Sequence, residues 1–419
     1  MIGRRGQEAA QAAVALIERL CVEDMMVARL GIDTEAALAR LMGLLKVDGV
    51  SRQEGAIRAA VDKQLRAMGV KKSWITHDDV HKHFGGEVGN LIVRLPGTGS
   101  LAREGRRFFS AHIDTVPACA GVEPVVSGRF VKPKGKTGLG ADNRACVAAL
   151  LAALAEVLAS GVDRAPMTLV FTVAEEIGLL GARYLAKSVT DECTIGYNMD
   201  GGTVLSPRVG APSAMRYSIG IEGIAAHAGG DPRGGVNAAT VFALAVAELA
   251  QGGWLGEVVQ GRREGRSNIG FVHGGRETNV VMPDLTARGE ARSHNDAFLR
   301  KIVATIERAF VKAAGKVKNK HGQPAKVTFE SHHDYTTFLL PMKSPAVRTY
   351  QRVAEALMFA GVEFGVGFGG LDANELNGKG LPTVTFGAGG RNPHCIGESC
   401  YLPEYYQAVA MAKGLMTIA

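Results

Sequence analysis

A chain of 419 residues, 46% hydrophobic and 21% charged, is long enough for two domains with buried cores and excludes a disordered or low-complexity protein. The formal charge of +7 has no dense Lys/Arg block or aromatic-basic module behind it. Arg103, Arg106 and Arg107 form the nearest cluster, so no nucleic-acid partner is expected. No uninterrupted apolar run reaches the roughly 18 residues of a membrane-spanning helix. The cysteines (Cys21, Cys119, Cys146, Cys193, Cys395 and Cys400) form no C-x-x-C pair, so reduced thiols in a cytoplasmic protein are expected.

Arg4 and Arg5 precede an apolar stretch, Ala9 to Ile17, which Gln11 interrupts and Glu18-Arg19 closes; this reads as an amphipathic helix, not a signal peptide. Ala36, Leu38, Leu41, Leu44 and Leu45 are spaced for one buried helical face, and Glu54 to Met68 repeats the pattern up to Gly69. Strands follow at Asn90 to Leu95 and at Phe108 to Ile113, the second delivering His112 and Asp114. Asp142 stands just before an alanine-rich helix, Ala145 to Leu158. Met167 to Ala174 is an apolar run of strand length that ends at Glu175-Glu176, and Gly178 to Ala186 favours a helix. Such alternation predicts an α/β sheet covered on both faces. Polar residues at the carboxyl ends of its strands stand where open α/β sheets hold ligands.

The pattern changes after Asp200. A strand at Arg216 to Ile221 leads to a glycine-rich loop, Gly223 to Gly235, carrying His227. Then come a helix at Asn237 to Leu249, strands at Asn268 to Val272 and Leu285 to Ser293, a helix at Asp296 to Lys316 and a strand at Ala325 to Ser331. Strand-helix-strand-strand-helix-strand predicts a small α+β sandwich inserted into the larger domain. The expected division is a catalytic domain in two parts, 1–212 and 335–419, around an insertion at 213–334. A helix at Val347 to Phe359 and a strand at Pro382 to Phe386 return the chain to a loop carrying His394.

His112, Asp142, Glu176, Asp200 and His394 form a ligand set for two adjacent metal ions. A hydrolytic dinuclear centre needs a bridging carboxylate, end ligands for each metal and open coordination. Asp142, on a glycine-framed turn, suits the bridge. His112 with Asp200 and Glu176 with His394 could complete the two ions, although spacing alone does not fix the pairing. Asp114 follows His112 by two on an extended strand, so it starts on the same side and can accept the imidazole N–H that faces away from metal. Neighbouring side chains diverge, so Glu175 and Glu176 cannot share one role. Glu175 is the candidate general base, taking a proton from the attacking water and delivering it to the leaving amine. Cys395, beside His394, reads as a packed or supporting residue.

These segments resemble the dinuclear-zinc metallopeptidases that include peptidase T, glutamate carboxypeptidase and the aminoacylases, and look closest to the peptidase T-like branch. The likeness rests on Ser110 to Pro117, Leu139 to Arg144, Thr172 to Gly178 with Gly181, and Met199 to Gly202. It extends to Ala225 to Gly229, Gly235 with Asn237-Ala238-Ala239, Thr278 to Pro283, Gly369 to Asn374, and Gly387 to His394 followed by Glu398. It covers about Leu41 to the C-terminus, which leaves the first 35 or so residues as an added helical segment.

The resemblance implies a mixed-sheet zinc-exopeptidase catalytic domain with an inserted α+β, ferredoxin-like lid and dimerisation domain. It implies two Zn2+, with Co2+ or Mn2+ as alternatives. His112, Asp142 and Asp200 would hold one ion, and Asp142, Glu176 and His394 the other. His227 would stabilise the oxyanion on domain closure. Asn279 and Arg292 would contact substrate backbone or carboxylate, with Arg288 competing for the latter role. The implied activity is peptidase T-like cleavage of di- or tripeptides from the amino end by a homodimer. A carboxypeptidase or N-acyl amino acid amidohydrolase with the same site is the alternative, and a non-catalytic dimeric binding protein the third. Asn143-Arg144 replaces the Asp-Lys of many relatives, and Pro393 precedes His394; both departures bear on substrate preference more than on the ligand set.

Overall fold

The computed structural model describes residues 29–419, so the amphipathic stretch Ala9 to Ile17 and Cys21 lie outside the described residues. The described residues form two compact units: 29–209 with 340–366 and 371–419, and 210–339 with 367–370.

The first unit is built on a mixed sheet. Its strands run in the order Ile75–His77, Leu91–Leu95, Met167–Thr172, Arg107–His112, Ile195–Met199 and Thr383–Phe386, with Arg208 bridging to Thr385. The four strands from Met167–Thr172 to Thr383–Phe386 are parallel to one another, and Leu91–Leu95 is antiparallel. Every residue of Arg107–His112, Met167–Thr172 and Ile195–Met199 is buried, as parallel strands covered on both faces require.

One face carries the helix Ala141–Ser160, packed against Thr34–Leu45 and Leu402–Thr417. Ala141–Ser160 has the length and apolarity of a membrane span, but its Ala and Leu side chains are buried almost all round. A helix that is apolar on every side belongs in a core when neighbours cover it. On the other face Phe108 and Val170 pack with Leu185, Val189, Leu376 and Leu381.

Two local expectations are corrected. The helix predicted over Gly178 to Ala186 is confined to Leu180–Tyr184. Ala174 and Leu179 take left-handed backbone (φ 53° and 58°), and the Glu175 carbonyl accepts from both Gly178 and Leu179 N–H, so a tight turn occupies the start of that stretch. A four-stranded sheet that periodicity did not reveal pairs Gly390–Arg391, Ser399–Tyr401, Phe130–Pro133 and Pro124–Ser127 in that order. Its Gly390–Arg391 and Ser399–Tyr401 strands carry between them the loop with His394.

The second unit has an antiparallel sheet in the order Gly256–Gln260, Arg263–Gly274, Asp284–Ser293, Ser213–Glu222, Lys326–Tyr335. Without its first edge strand this is a split β-α-β fold of the ferredoxin type. The extra strand, Gly256–Gln260, escapes a hydrophobicity reading because Val258 is its single buried residue. Tyr217, Ile219 and Ile221 alternate inward from Ser213–Glu222. They meet Val241, Ala245 and Leu249 of the helix Ala238–Gln251, and Phe298, Ile302, Ile306 and Phe310 of Asp296–Lys316.

Leu150, fully buried on the central helix, tests the packing of the first unit. Leu150→Ala is expected to cost about 2–5 kcal/mol, whereas Leu244→Ala, at a side chain 45% exposed, should stay within about 0.5 kcal/mol. Urea denaturation midpoints measure both, and equal midpoints would contradict the packing described.

Candidate metal centre

Parallel pairing brings the candidate groups to the carboxyl ends of neighbouring strands in the first unit's sheet. His112 ends its strand in register with Thr172, so the turn carrying Glu175 and Glu176 emerges beside it. Ile195–Met199, on the other flank of the same strand, leads into Asp200, whose N–H donates to Phe386 O. Asp142 enters from a turn before the central helix, where Asp142 and Asn143 depart from helical backbone and the peptide between them is cis. Gly140 has φ 75° there, and a Cβ would stand 3.1 Å from Thr115 Cγ2, so glycine serves both the conformation and the close approach. His394 comes from the loop between the two short strands, with Asn392 and His394 left-handed on either side of Pro393.

The carboxylate of Asp142 faces two imidazoles with its two oxygens: His112 Nε2 is 3.2 Å from Oδ1, and His394 Nε2 is 3.3 Å from Oδ2. Glu176 Oε2 lies 2.9 Å from His394 Nε2, and Glu175 Oε2 lies 3.8 Å from His112 Nε2. Ligand atoms of His112, Asp142 and Asp200 lie within 4.8 Å of one another, as do those of Asp142, Glu176 and His394, and those of His112, Glu175 and Glu176. All these groups are in one unit.

Two buried carboxylates brace them. Asp114 faces His112 Nδ1 at 3.3 Å and accepts from Ser51 Oγ (2.6 Å), Glu175 N–H (3.1 Å) and Glu176 N–H (3.2 Å). Glu398 accepts from Leu139, Gly140 and Asp142 N–H at 2.7–2.9 Å and so shapes the turn that presents Asp142. Asp114 was legible from its spacing to His112. Glu398 was legible as part of a motif but not in this role, because side-chain acceptance from a distant turn leaves no periodic signal.

The electrostatics call for positive charge. Burial pushes Glu175 well above the usual carboxylate range and Asp200 up to about 8. Hydrogen bonds with Asp142 and Glu176 lift His394 to about 10. Burial would lower His112, but the Glu175 charge and the bonds with Asp114 and Asp142 hold it well above its ordinary value. Burial likewise opposes the charge on Asp142, yet its bonds to His112 and His394 keep it below the ordinary range. Glu176 Oε1 is buried without a partner. Carboxylates packed this closely with imidazoles, with one oxygen unpaired, match the donor set that divalent cations would satisfy.

His227, Asn279, Arg292 and Arg288 belong to the second unit. His227 is exposed and its Nδ1 accepts from Gly229 and Gly230 N–H, at 3.1 and 2.9 Å, which leaves Nε2 as the outward atom. Asn279 O accepts from Ala228 N–H beside it. Arg292 pairs with Glu290 at 3.0 Å and donates to Phe368 O, whereas Arg288 stacks on Phe271. Cys395, in the first unit beside His394, is exposed and not packed as expected, its thiol donating to Asn392 O on its own loop.

The pattern of Peptidase family M20/M25/M40 matches residues 108–417. An uncharacterized protein of Bacillus subtilis (strain 168), YqjE, is 29% identical over 386 residues, which span 92% of this chain and 98% of that one. The structure of aminopeptidase PepT from Bacillus cereus ATCC 10987 is similar with a TM-score of 0.77 at 29% identity, and that of a tripeptidase from Staphylococcus aureus subsp. aureus mu50 with 0.81 at 27%. Each covers 92% of this chain and 98% of its own. A match that begins inside the strand ending at His112 and runs through the last helix, Leu402–Thr417, takes in the whole candidate centre apart from its Ser51 brace, and by it the chain belongs to peptidase family M20/M25/M40, a family of metal-dependent hydrolases.

Proposed function

We propose that the protein is a dinuclear zinc exopeptidase that releases the amino-terminal residue of di- and tripeptides. The observation that carries this is Asp142, whose two carboxylate oxygens face His112 and His394 separately, as a bridging ligand must. His112, Asp142 and Asp200 would hold one ion, and Asp142, Glu176 and His394 the other. Ions held there would polarise the scissile carbonyl and ease deprotonation of the attacking water.

The chain's own groups do the rest. Glu175 is buried, its backbone N–H is fixed on Asp114, and its carboxylate stands 3.8 Å from His112 Nε2, outside the two trios proposed to share Asp142. That position suits a base that takes the water's proton and returns it to the leaving amine. Asp114 holds the His112 ring by its Nδ1 side, which leaves Nε2 for metal. His227, with Nδ1 occupied by its own loop, has Nε2 to donate to the developing oxyanion.

The amino-end, short-peptide assignment draws on the likeness to the aminopeptidase and the tripeptidase over nearly their full lengths. Arg292, already held by Glu290 and Phe368 O, and Asn279 are the candidates for the substrate's far end. A homodimer through the second unit is the expected assembly, in the cytoplasm. The edge strands Gly256–Gln260, with Val259 exposed, and Lys326–Tyr335 offer a template for pairing across a two-fold axis. Sedimentation velocity should find two chains per particle.

Incubation with mixed di-, tri- and N-acylated peptides, followed by mass spectrometry, should show free amino-terminal residues appearing first. Release from the carboxyl end, or faster turnover of acylated substrates, would replace this reading with a carboxypeptidase or amidohydrolase.

Reconstitution should give about two equivalents of zinc per chain. Glu175→Gln should keep both and lose about 10²–10⁴-fold in kcat, while His394→Ala should hold fewer. Full activity in Glu175→Gln would remove the base assignment. Chelation should lower the melting temperature, since ions bound only to the folded state stabilise it.

A further inference from the structure

One turn upstream of the family match reaches three of the segments that build the centre. The Gly49 carbonyl accepts from Thr115 N–H (3.0 Å) and Arg144 Nη2 (3.3 Å), just beyond Asp114 and Asp142 respectively. A Cβ at Gly49 would lie 2.6 Å from Ile57 Cγ2 and 2.8 Å from Arg144 Nη2, so the turn is seated closely. Ser51 Oγ donates to Asp114 Oδ2 at 2.6 Å. Glu54 is fully buried, and its Oε1 accepts from Arg52 N–H (2.8 Å) and from Ala174 N–H (3.0 Å), one residue before Glu175.

Glu54 occupies the N-cap position of the helix Gly55–Ala67, yet its side chain makes no cap hydrogen bond. A cap would bond the helix's own first turn; this carboxylate reaches instead to a chain segment 120 residues away. Ala174 is the left-handed residue that turns the strand Met167–Thr172 into Glu175-Glu176, with φ 53°. Such backbone persists in a non-glycine residue only where its surroundings over-determine it. Burial also pushes the Glu54 carboxyl up to about 7, and a glutamine in its place keeps the acceptor oxygen at the same reach.

We propose that Glu54 is a positioning residue for catalysis: by holding the Ala174 amide, in a turn that also anchors Asp114 and Arg144, it sets where Glu175 and Glu176 stand relative to His112 and Asp142. The proposal rests on Glu175 as base and Glu176 as ligand. Displacement of about 1 Å at a reacting group costs on the order of 10²-fold in rate, and that is the size of effect expected.

The test compares Glu54→Ala, Glu54→Asp and Glu54→Gln in the full-length, zinc-loaded protein. It reads kcat and KM on a tripeptide, zinc affinity by competition with a chromophoric chelator, and hydrogen–deuterium exchange across residues 172–178. Glu54→Ala and Glu54→Asp, the latter a methylene short of Ala174, should lose about 10²-fold in kcat with KM within about threefold. Both should bind zinc more weakly and exchange faster over 172–178. Glu54→Gln, which keeps the acceptor oxygen, should restore most of each. Wild-type rates and exchange in Glu54→Asp would overturn the proposal, as would Glu54→Gln failing as badly as Glu54→Ala. If Glu175→Gln proves fully active, the base assignment falls, and exchange with zinc affinity still decides for or against Glu54.

Discussion

Asp114 makes four contacts, and each fixes a different part of the centre. It sits fully buried two residues past the end of a central strand whose neighbours run parallel to it, so everything beyond those strand ends must be held by side chains or turns. It faces His112 Nδ1, accepts the N–H groups of both Glu175 and Glu176, and takes the Ser51 hydroxyl. Burial alone would neutralise such a carboxyl, but the His112 contact and these donors outweigh it and keep its pKa low. A charged acceptor sharing donors from two neighbouring loops locks their relative position, since moving either leaves a buried charge under-bonded.

That lock explains how adjacent glutamates face different partners. Their amides share one carboxylate, so their backbone positions are fixed together, and their side chains must leave in different directions. Glu176 reaches His394, and Glu175 turns toward His112. The left-handed Ala174 and Leu179 around them compress the chain into a turn where a longer helix was expected. Preorganisation of this kind is what the base proposed for Glu175 requires, since it must already stand in place when the reaction begins.

The clustering of His112, Asp142, Glu176, Asp200 and His394 was legible because it obeys rules that sequence exposes: polar residues ending apolar strands, a short carboxylate on a glycine turn, a pair two apart on one strand face. The two helices and four strands of the split β-α-β unit were legible through their periodicity, with Asp296–Lys316 found at its predicted bounds. What stayed hidden depends on contacts between distant segments. Glu54 looked like a helix start and proves to be an acceptor for Ala174. Glu398 looked like the tail of a motif and braces the Asp142 turn. Gly256–Gln260 is an edge strand with one buried side chain, too weak a pattern for any period.

The departures from the family pattern acquire a physical meaning in this frame. Asn143 donates through Nδ2 to Met199 O (2.8 Å), the residue before Asp200, so it couples two ligand segments without adding charge. Arg144 is fully buried, and burial draws its pKa down to about 10 despite the charges of Asp114, Glu54 and Asp48 nearby. Its guanidinium reaches the carbonyls of Val47 and Gly49, 3.4 and 3.3 Å away. An arginine spreads its charge over a planar fork that can serve several carbonyls at once, where a lysine would present a point charge. The substituted pair therefore faces the interior scaffold of the turn that carries Asp142. Changes there would alter how firmly the proposed ligands are held, and discrimination among peptides would fall to the residues proposed to meet the substrate.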